Sequence, residues 1–355
     1  MDKKIILAVA GSGKTTYLVK QVPKDKRSLI LTYTTSNILN LRDVIITEFK
    51  EFPRNICLQT YFTFLYSFCI QPFLMNEYKL SGLIYKQNPN KYAINDKRFL
   101  TKNNRLYYNR AAKFIEVKGL YSDITKRLEK YYQYLFIDEI QDFAGHDFGL
   151  LEYISCSNIN ALYVGDFYQH TFDTSRDGNV KQSLYNDYEE YKKIFKKLKF
   201  IVDEKTLIKS HRCSPQVCKY ISDNLNINIE SHGDNKTEIR YINDEQEIEN
   251  IINDDNIIKL FYKEHYLYKC KAKNWGGCKG EDIYNDVCVV LNKNTLTYYN
   301  QNKLKELPPQ TLNKLYVAIS RAHGNVYFIS EKCIESYKKD KKTVRRKERD
   351  NSYHR

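Results

Sequence analysis

At 355 residues, with 42% apolar and 28% charged side chains, the chain suits a soluble protein of two ordinary-sized domains. No apolar run approaches the ~20 residues that span a bilayer, and "KKIILAVA" lacks the longer apolar core of a secretory signal, so a cytoplasmic location and no membrane partner are expected. The formal charge of +14 favours a polyanion or a membrane surface as partner, while nine scattered cysteines without a C-x-x-C pair fit free thiols and argue against disulfides or zinc.

In chain order, "KIILAV" predicts a strand and "KTTYLVKQV" a helix. "SLILTY" predicts a second strand, and Ile38, Leu41, Ile45 and Ile46 have helical spacing. "ICLQT" is a strand followed by the aromatic run "YFTFLYSF"; "YQYLFID" and "NALYVGD" are two more strands. Beyond these, "PQVCKYISDNL" predicts a helix, "TEIRYI", "IIKLFY" and "DVCVVL" strands, "TLNKLYVAIS" a helix and "NVYFIS" a last strand. Alternation of strands and helices predicts an α/β fold with parallel sheets covered on both faces. We expect a first domain over residues 1–205, with a small Lys- and Asn-rich insertion at about 71–132, and a second over 206–337. Residues 338–355 form a basic tail, with eight positive and three negative side chains between Lys338 and Asp350; it reads as a solvated, disordered arm.

Between the first strand and helix lies "AVAGSGKTT". Gly11 and Gly13 allow a tight turn around phosphate, and Ala10, Ser12 and Thr16 complete the loop. Lys14 would reach the β- and γ-phosphates, and the Thr15 hydroxyl would ligate Mg²⁺. "YLFIDEIQDF" then puts Asp138 and Glu139 at the end of an apolar strand. There Asp138 would hold the metal and Glu139 would polarise an attacking water. A third strand ends in "GDFYQHTF", with Gln169 at a loop position suited to sensing the γ-phosphate. ATP and Mg²⁺ are the expected cofactors.

Taken together, "AVAGSGKT", "LTYTTSN", "DEIQDF", "GDFYQHTF", "KSHRCSP" and "LYVAISRA" occur in the order and spacing of UvrD/Rep-type superfamily 1 helicases, which the chain resembles from residue 5 to residue 330. The resemblance implies two RecA-like P-loop NTPase domains with ATP at the cleft between them, and 3′→5′ movement along single-stranded DNA. It implies that Arg212 and Arg321 are arginine fingers, a role suited to a planar, permanently charged fork. It puts Thr32, Tyr33, Thr34, Thr60, Phe62 and Phe172 against DNA. His211 takes the place of the family's adenine-stacking aromatic, and the glutamine motif that reads adenine is missing from the residues before Gly11. Both departures imply little base selectivity.

"NWGGCKG" resembles the loop that joins the ATP and DNA sites in compact members. This places Asn274, Trp275 and Lys279 on DNA and Gly280 and Asp282 on nucleotide, with Glu281 a rival for the last role. The family's accessory insertions are reduced to a stub or absent. The leading reading is therefore an ATP hydrolase that translocates on single-stranded or tailed duplex DNA and unwinds it. The alternative is a DNA-stimulated NTPase that serves as sensor or regulatory subunit of a nuclease, with little unwinding of its own. A small-molecule kinase is disfavoured by "DEIQD" and by both arginine motifs.

Overall fold

The computed structural model describes residues 2–171 and 180–339. The chain divides into two compact units, residues 1–8 with 13–207 and residues 9–12 with 208–355.

The first unit carries a six-stranded sheet built from β1 (Lys3–Leu7), β2 (Ser28–Thr32), β3 (Ile56–Thr60), β6 (Tyr134–Ile137), β7 (Asn160–Gly165) and β8 (Ile201–Asp203). All neighbours run parallel, in the order β3-β2-β6-β7-β1-β8. Strands covered on both faces need near-continuous apolar sequence, and "KKIIL", "SLILT" and "YLFI" supply it. Alternate side chains then enter two cores. Ile5, Leu7, Leu29 and Leu31 join Phe114, Ile124, Phe148 and Phe195, whereas Ile6, Ala8 and Ile30 join Leu18, Leu41 and Ile45.

Helices α1 (Lys14–Lys20) and α2 (Thr35–Phe49) supply the second of these cores. Leu41 and Ile45 form the buried stripe of α2, while Ile46 turns outward. The aromatic run begins as α3 (Tyr61–Thr63) and widens into a π-helix over Phe64–Ile70, where Phe64 and Phe68 stack at 5.2 Å. The insertion follows, with α4 (Gln71–Tyr78), the two-residue strands β4 (Leu83–Ile84) and β5 (Leu106–Tyr107), α5 (Ala111–Val117) and α6 (Tyr121–Tyr131). Helices α7 (Gly145–Ser155) and α8 (Tyr188–Lys197) complete the larger core.

The second unit has a short pair, β9 (Lys209–Ser210) with β10 (Glu230–Ser231), and a five-stranded parallel sheet. That sheet contains β11 (Ile239–Tyr241), β12 (Ile258–Phe261), β13 (Ala272–Asn274), β14 (Val287–Leu291) and β15 (Val326–Ser330), in the order β11-β15-β14-β12-β13. Its helices are α9 (Pro215–Leu225), α10 (Glu245–Asn253), α11 (Lys293–Asn300) and α12 (Pro309–Ile319). Phe328 packs toward Tyr220 of α9 and Tyr299 of α11, and the next residue, Ile329, joins the α10 core. Both sheets thus have the parallel α/β architecture expected from the alternation, and the arrangement fits RecA-like units. Among the described residues, no helix is long and apolar enough to cross a membrane.

Candidate functional site

In open parallel sheets, ligands gather beyond the carboxyl ends of the strands. In the first unit, those ends carry most of the residues singled out above. Lys14 and Thr15 follow β1, Tyr33 follows β2, Thr60 closes β3, Asp138 follows β6 and Asp166 follows β7. The order β3-β2-β6-β7-β1 separates two groups. The phosphate and acid residues stand over β6, β7 and β1, and the aromatic platform over β2 and β3.

Gly11 and Gly13 adopt left-handed backbone, with φ of 69° and 76°, which glycine accepts without a Cβ penalty. Ser12 Oγ donates to the Val9 carbonyl at 2.8 Å and closes the loop. Lys14 is buried, Thr15 half-buried and Thr16 exposed. Thr15 Oγ1 donates to Asp138 Oδ2 at 2.9 Å. A hydroxyl and a carboxylate this close are the hard oxygen donors that Mg²⁺ takes beside phosphate oxygens, so the residues fit that ion. Among the described residues there is no cluster of three or more His, Cys, Asp or Glu of the kind a fully protein-ligated metal needs.

Burial, helped by the charge of Glu139, raises the Asp138 carboxyl to about 7, against the opposing pull of Thr15 and Lys14. The folded state therefore holds the Asp138 proton more tightly than the unfolded state. The stability this brings is complete below the unfolded pKa and is lost as pH rises through about 7. Asp138→Asn is accordingly expected to raise Tm at pH 8 in EDTA, by a stabilisation of order 2–4 kcal/mol, and to change it little at pH 4. Thermal melts at the two pH values check this; an equal shift at both would contradict it.

Glu139 is held in left-handed backbone, φ 57° and ψ 49°, a conformation that costs a non-glycine residue about 1–3 kcal/mol and tends to occur at functional sites. From it runs a chain that sequence reasoning missed. Gln141 Nε2 donates to Glu139 Oε2, and Gln141 Oε1 accepts from the Asp166 amide at 3.1 Å. Gln169 Nε2 donates to Asp166 Oδ2 at 2.9 Å. Glu139 and Gln169 are thus joined through Gln141 and Asp166, with the three last-named links buried. The approach is close because residue 165 is glycine: a Cβ there would collide with Gln141 Oε1 and Ile140.

Over β2 and β3, Tyr33 lies parallel to Tyr61 at 5.7 Å and edge-on to Phe62 at 5.3 Å. Asp147 fastens the pair, accepting from Tyr61 Oη at 3.0 Å and from Tyr33 Oη at 3.4 Å. Tyr33 and Phe62 stay half-buried, so each keeps an exposed part. Thr34 and Thr60 cap α2 and α3 through the amides of Asn37 and Thr63. Thr32 departs from expectation. It is fully buried at the end of β2, which is covered on both faces, and is not a surface contact. Phe172 lies outside the described residues, as do residues 340–355 of the tail.

In the second unit, both arginines converge on residues 281–282. Arg212 Nε donates to Asp282 Oδ1, and Arg212 Nη1 to the Ser320 carbonyl at 3.0 Å. Arg321 is buried, with Nη1 on the Glu281 carbonyl at 3.0 Å and Nε on the Val317 carbonyl at 3.3 Å. Burial would raise the Asp282 carboxyl, but Arg212 and His323 overcome this and hold it below its usual range. The rival acid, Glu281, is taken by Lys273 and by the Tyr284 hydroxyl. His211 is exposed and stacks on His232 at 4.2 Å.

Gly280 has φ 83°, and Lys279 is half-buried beside it. Asn274 Oδ1 accepts from the His265 amide at 3.1 Å. Trp275 is a second correction. Its ring is fully buried, its Nε1 donates to the Leu260 carbonyl at 2.8 Å, and it packs edge-on to Tyr262 at 5.4 Å. It is a core residue that fixes the loop, not a surface for bases.

No protein-family model and no curated protein matches the chain. Among solved structures the chain is similar to the PRRSV helicase, with 12% identity and a TM-score of 0.47 over 92% of this chain and 52% of that one. It is also similar to arterivirus nonstructural protein 10 (helicase), in a complex with DNA (14% identity, TM-score 0.49, 92% and 61% covered). The same helicase in a second structure gives 13% identity and a TM-score of 0.48, with 92% and 59% covered. The chain spans between about half and three-fifths of the length of these structures.

Proposed function

We propose that the chain is an ATP-dependent translocase on single-stranded DNA with helicase activity, of the UvrD/Rep type within superfamily 1. The observation that carries this reading is the joining of Thr15 to Asp138 and of Glu139 to Gln169 within one unit. A phosphate loop alone serves many chemistries. A phosphate loop with a metal carboxylate, a neighbouring acid and a glutamine wired to that acid serves NTP hydrolysis coupled to a second event.

In this reading Gly11, Gly13 and Lys14 bind the triphosphate, and Thr15 and Asp138 hold Mg²⁺, which neutralises phosphate charge when bound. Glu139 accepts the proton of the attacking water. Gln169 reports the state of the γ-phosphate, and Arg212 and Arg321 supply positive charge as the phosphate leaves. His211, Gly280 and Asp282 serve the nucleoside end. Tyr33, Phe62, Thr34 and Thr60, with Asn274 and Lys279, take the strand.

The buried Trp275 favours the second reading in one respect. An aromatic withdrawn into the core cannot hold a base, which suits a DNA-stimulated NTPase that unwinds little without a nuclease partner. One assay separates the two: a duplex with a 3′ tail, incubated with the protein, ATP and Mg²⁺, releases a strand under the first reading. Under the second, ATP is consumed and the duplex stays intact; a preference for 5′ tails would overturn the assigned direction.

A further inference from the structure

The insertion carries a feature that the motifs do not account for. Strands β4 and β5 pair in parallel, with Leu83 opposite Leu106 and Ile84 opposite Tyr107. The next residue of each strand is a tyrosine, so this register sets Tyr85 beside Tyr108, ring centres 5.8 Å apart and planes 30° apart. Both rings also meet Phe62, Tyr108 at 5.6 Å and Tyr85 at 5.8 Å, each edge-on. Phe62 in turn meets Tyr33. A continuous aromatic row therefore runs from the platform over β2 and β3 out to the insertion.

The outer end of this row is open to solvent. Tyr85 is 66% exposed, and Tyr92 of the same insertion is 93% exposed. Large aromatic rings held in the open without covering are not explained by core packing. Nor is Tyr85 a ring on a loose loop. The Leu106 amide donates to the Gly82 carbonyl at 2.9 Å, Arg105 Nη2 to the Leu83 carbonyl at 2.9 Å, and Ser81 Oγ to the Asn103 carbonyl at 2.6 Å.

Charge identifies the occupant. From residue 79 to residue 118 there are ten Lys and Arg side chains against only Asp96 and Glu116, which is more than half of the chain's +14. Lys86, Lys91, Lys97 and Lys102 are exposed. Rigid aromatic rings among exposed cations are the two components of a single-strand nucleic-acid surface: bases stack on the rings and phosphates meet the cations.

We propose that Tyr85, backed by Tyr108, stacks on a base of single-stranded DNA and extends the strand path from Tyr33 and Phe62 onto the insertion. This rests on the reading of the chain as a single-strand DNA translocase. It adds a contact in the insertion that this reading does not need.

The test is fluorescence anisotropy with labelled oligo-dT in the absence of nucleotide, comparing wild type, Tyr85→Ala and Tyr85→Trp. Tyr85→Ala is expected to weaken binding about 5- to 150-fold, the effect of losing one base stack, with the slope of log affinity against log salt unchanged. Tyr85→Trp is expected to keep wild-type affinity. ATP hydrolysis without DNA should be the same in all three, because Tyr85 is exposed and far in sequence from the phosphate loop. Wild-type affinity in Tyr85→Ala would overturn the stack and leave the translocase reading standing. A change of salt slope with no loss at low salt would assign the site to charge alone and also overturn it. Failure of the wild-type protein to bind oligo-dT would refute the underlying reading itself.

Discussion

Glu139→Gln is expected to bind nucleotide as the wild-type protein does and to lose roughly 10²–10⁴-fold in steady-state hydrolysis, the usual worth of a positioned general base. The substitution removes a proton acceptor and leaves shape and polarity nearly unchanged. The amide oxygen of the new side chain still accepts from Gln141, so the chain through Asp166 to Gln169 persists. The left-handed backbone at 139 is as costly for Gln as for Glu, so the fold has no reason to change. Phosphate release, measured beside the affinity for a fluorescent ATP analogue, separates the two effects. Turnover within a few-fold of wild type would remove Glu139 from its assigned role.

Arg212→Ala carries the second large effect, a fall in kcat of about 10³–10⁵-fold if its guanidinium stabilises the leaving phosphate. The side chain is held by Asp282 and by the Ser320 carbonyl, so it is already oriented, and its loss leaves Asp282 with His323 as partner. Arg212→Lys keeps the charge but not the fork, and is expected to recover only part of the rate. A purely structural role would lower Tm in both variants and leave kcat per folded molecule unchanged. Single-turnover hydrolysis with melting curves distinguishes these outcomes. Arg321 is less suited to such a test, because it is buried and its removal would leave the Glu281 carbonyl without its side-chain donor.

The central strands were legible because strands covered on both faces must be apolar throughout, and "SLILT", "YLFI" and "VCVVL" announce themselves. Helix α7 was missed, since its first turn is Gly145, His146 and Asp147, and its polar residues are buried by partners elsewhere in the chain. β13 was missed because three residues of mixed polarity carry no period; its pairing with β12 defines it.

In the site, the placing of Thr15 beside Asp138 was legible, since each follows an apolar strand of the same sheet. Gln141 and Asp166 were not assigned roles, because only the side-by-side placement of β6 and β7 brings them together. Trp275 misled for the opposite reason. A lone aromatic in a glycine-rich polar stretch reads as a contact residue, and nothing local reveals that the Leu260 carbonyl awaits its indole N–H. Thr32 could have been foreseen as buried from its place at the end of a doubly covered strand. The Tyr85–Tyr108 pair could not, since two-residue strands leave no pattern in sequence.

In the proposed translocase, hydrolysis at the phosphate loop is coupled to a bound single strand. Steady-state ATP hydrolysis with Mg²⁺, measured with and without oligo-dT, tests it most directly. The rate is expected to rise about tenfold or more on adding the strand to the wild-type protein, and not to rise in Glu139→Gln. Hydrolysis that is unaffected by single-stranded DNA, or that survives in Glu139→Gln, would contradict it.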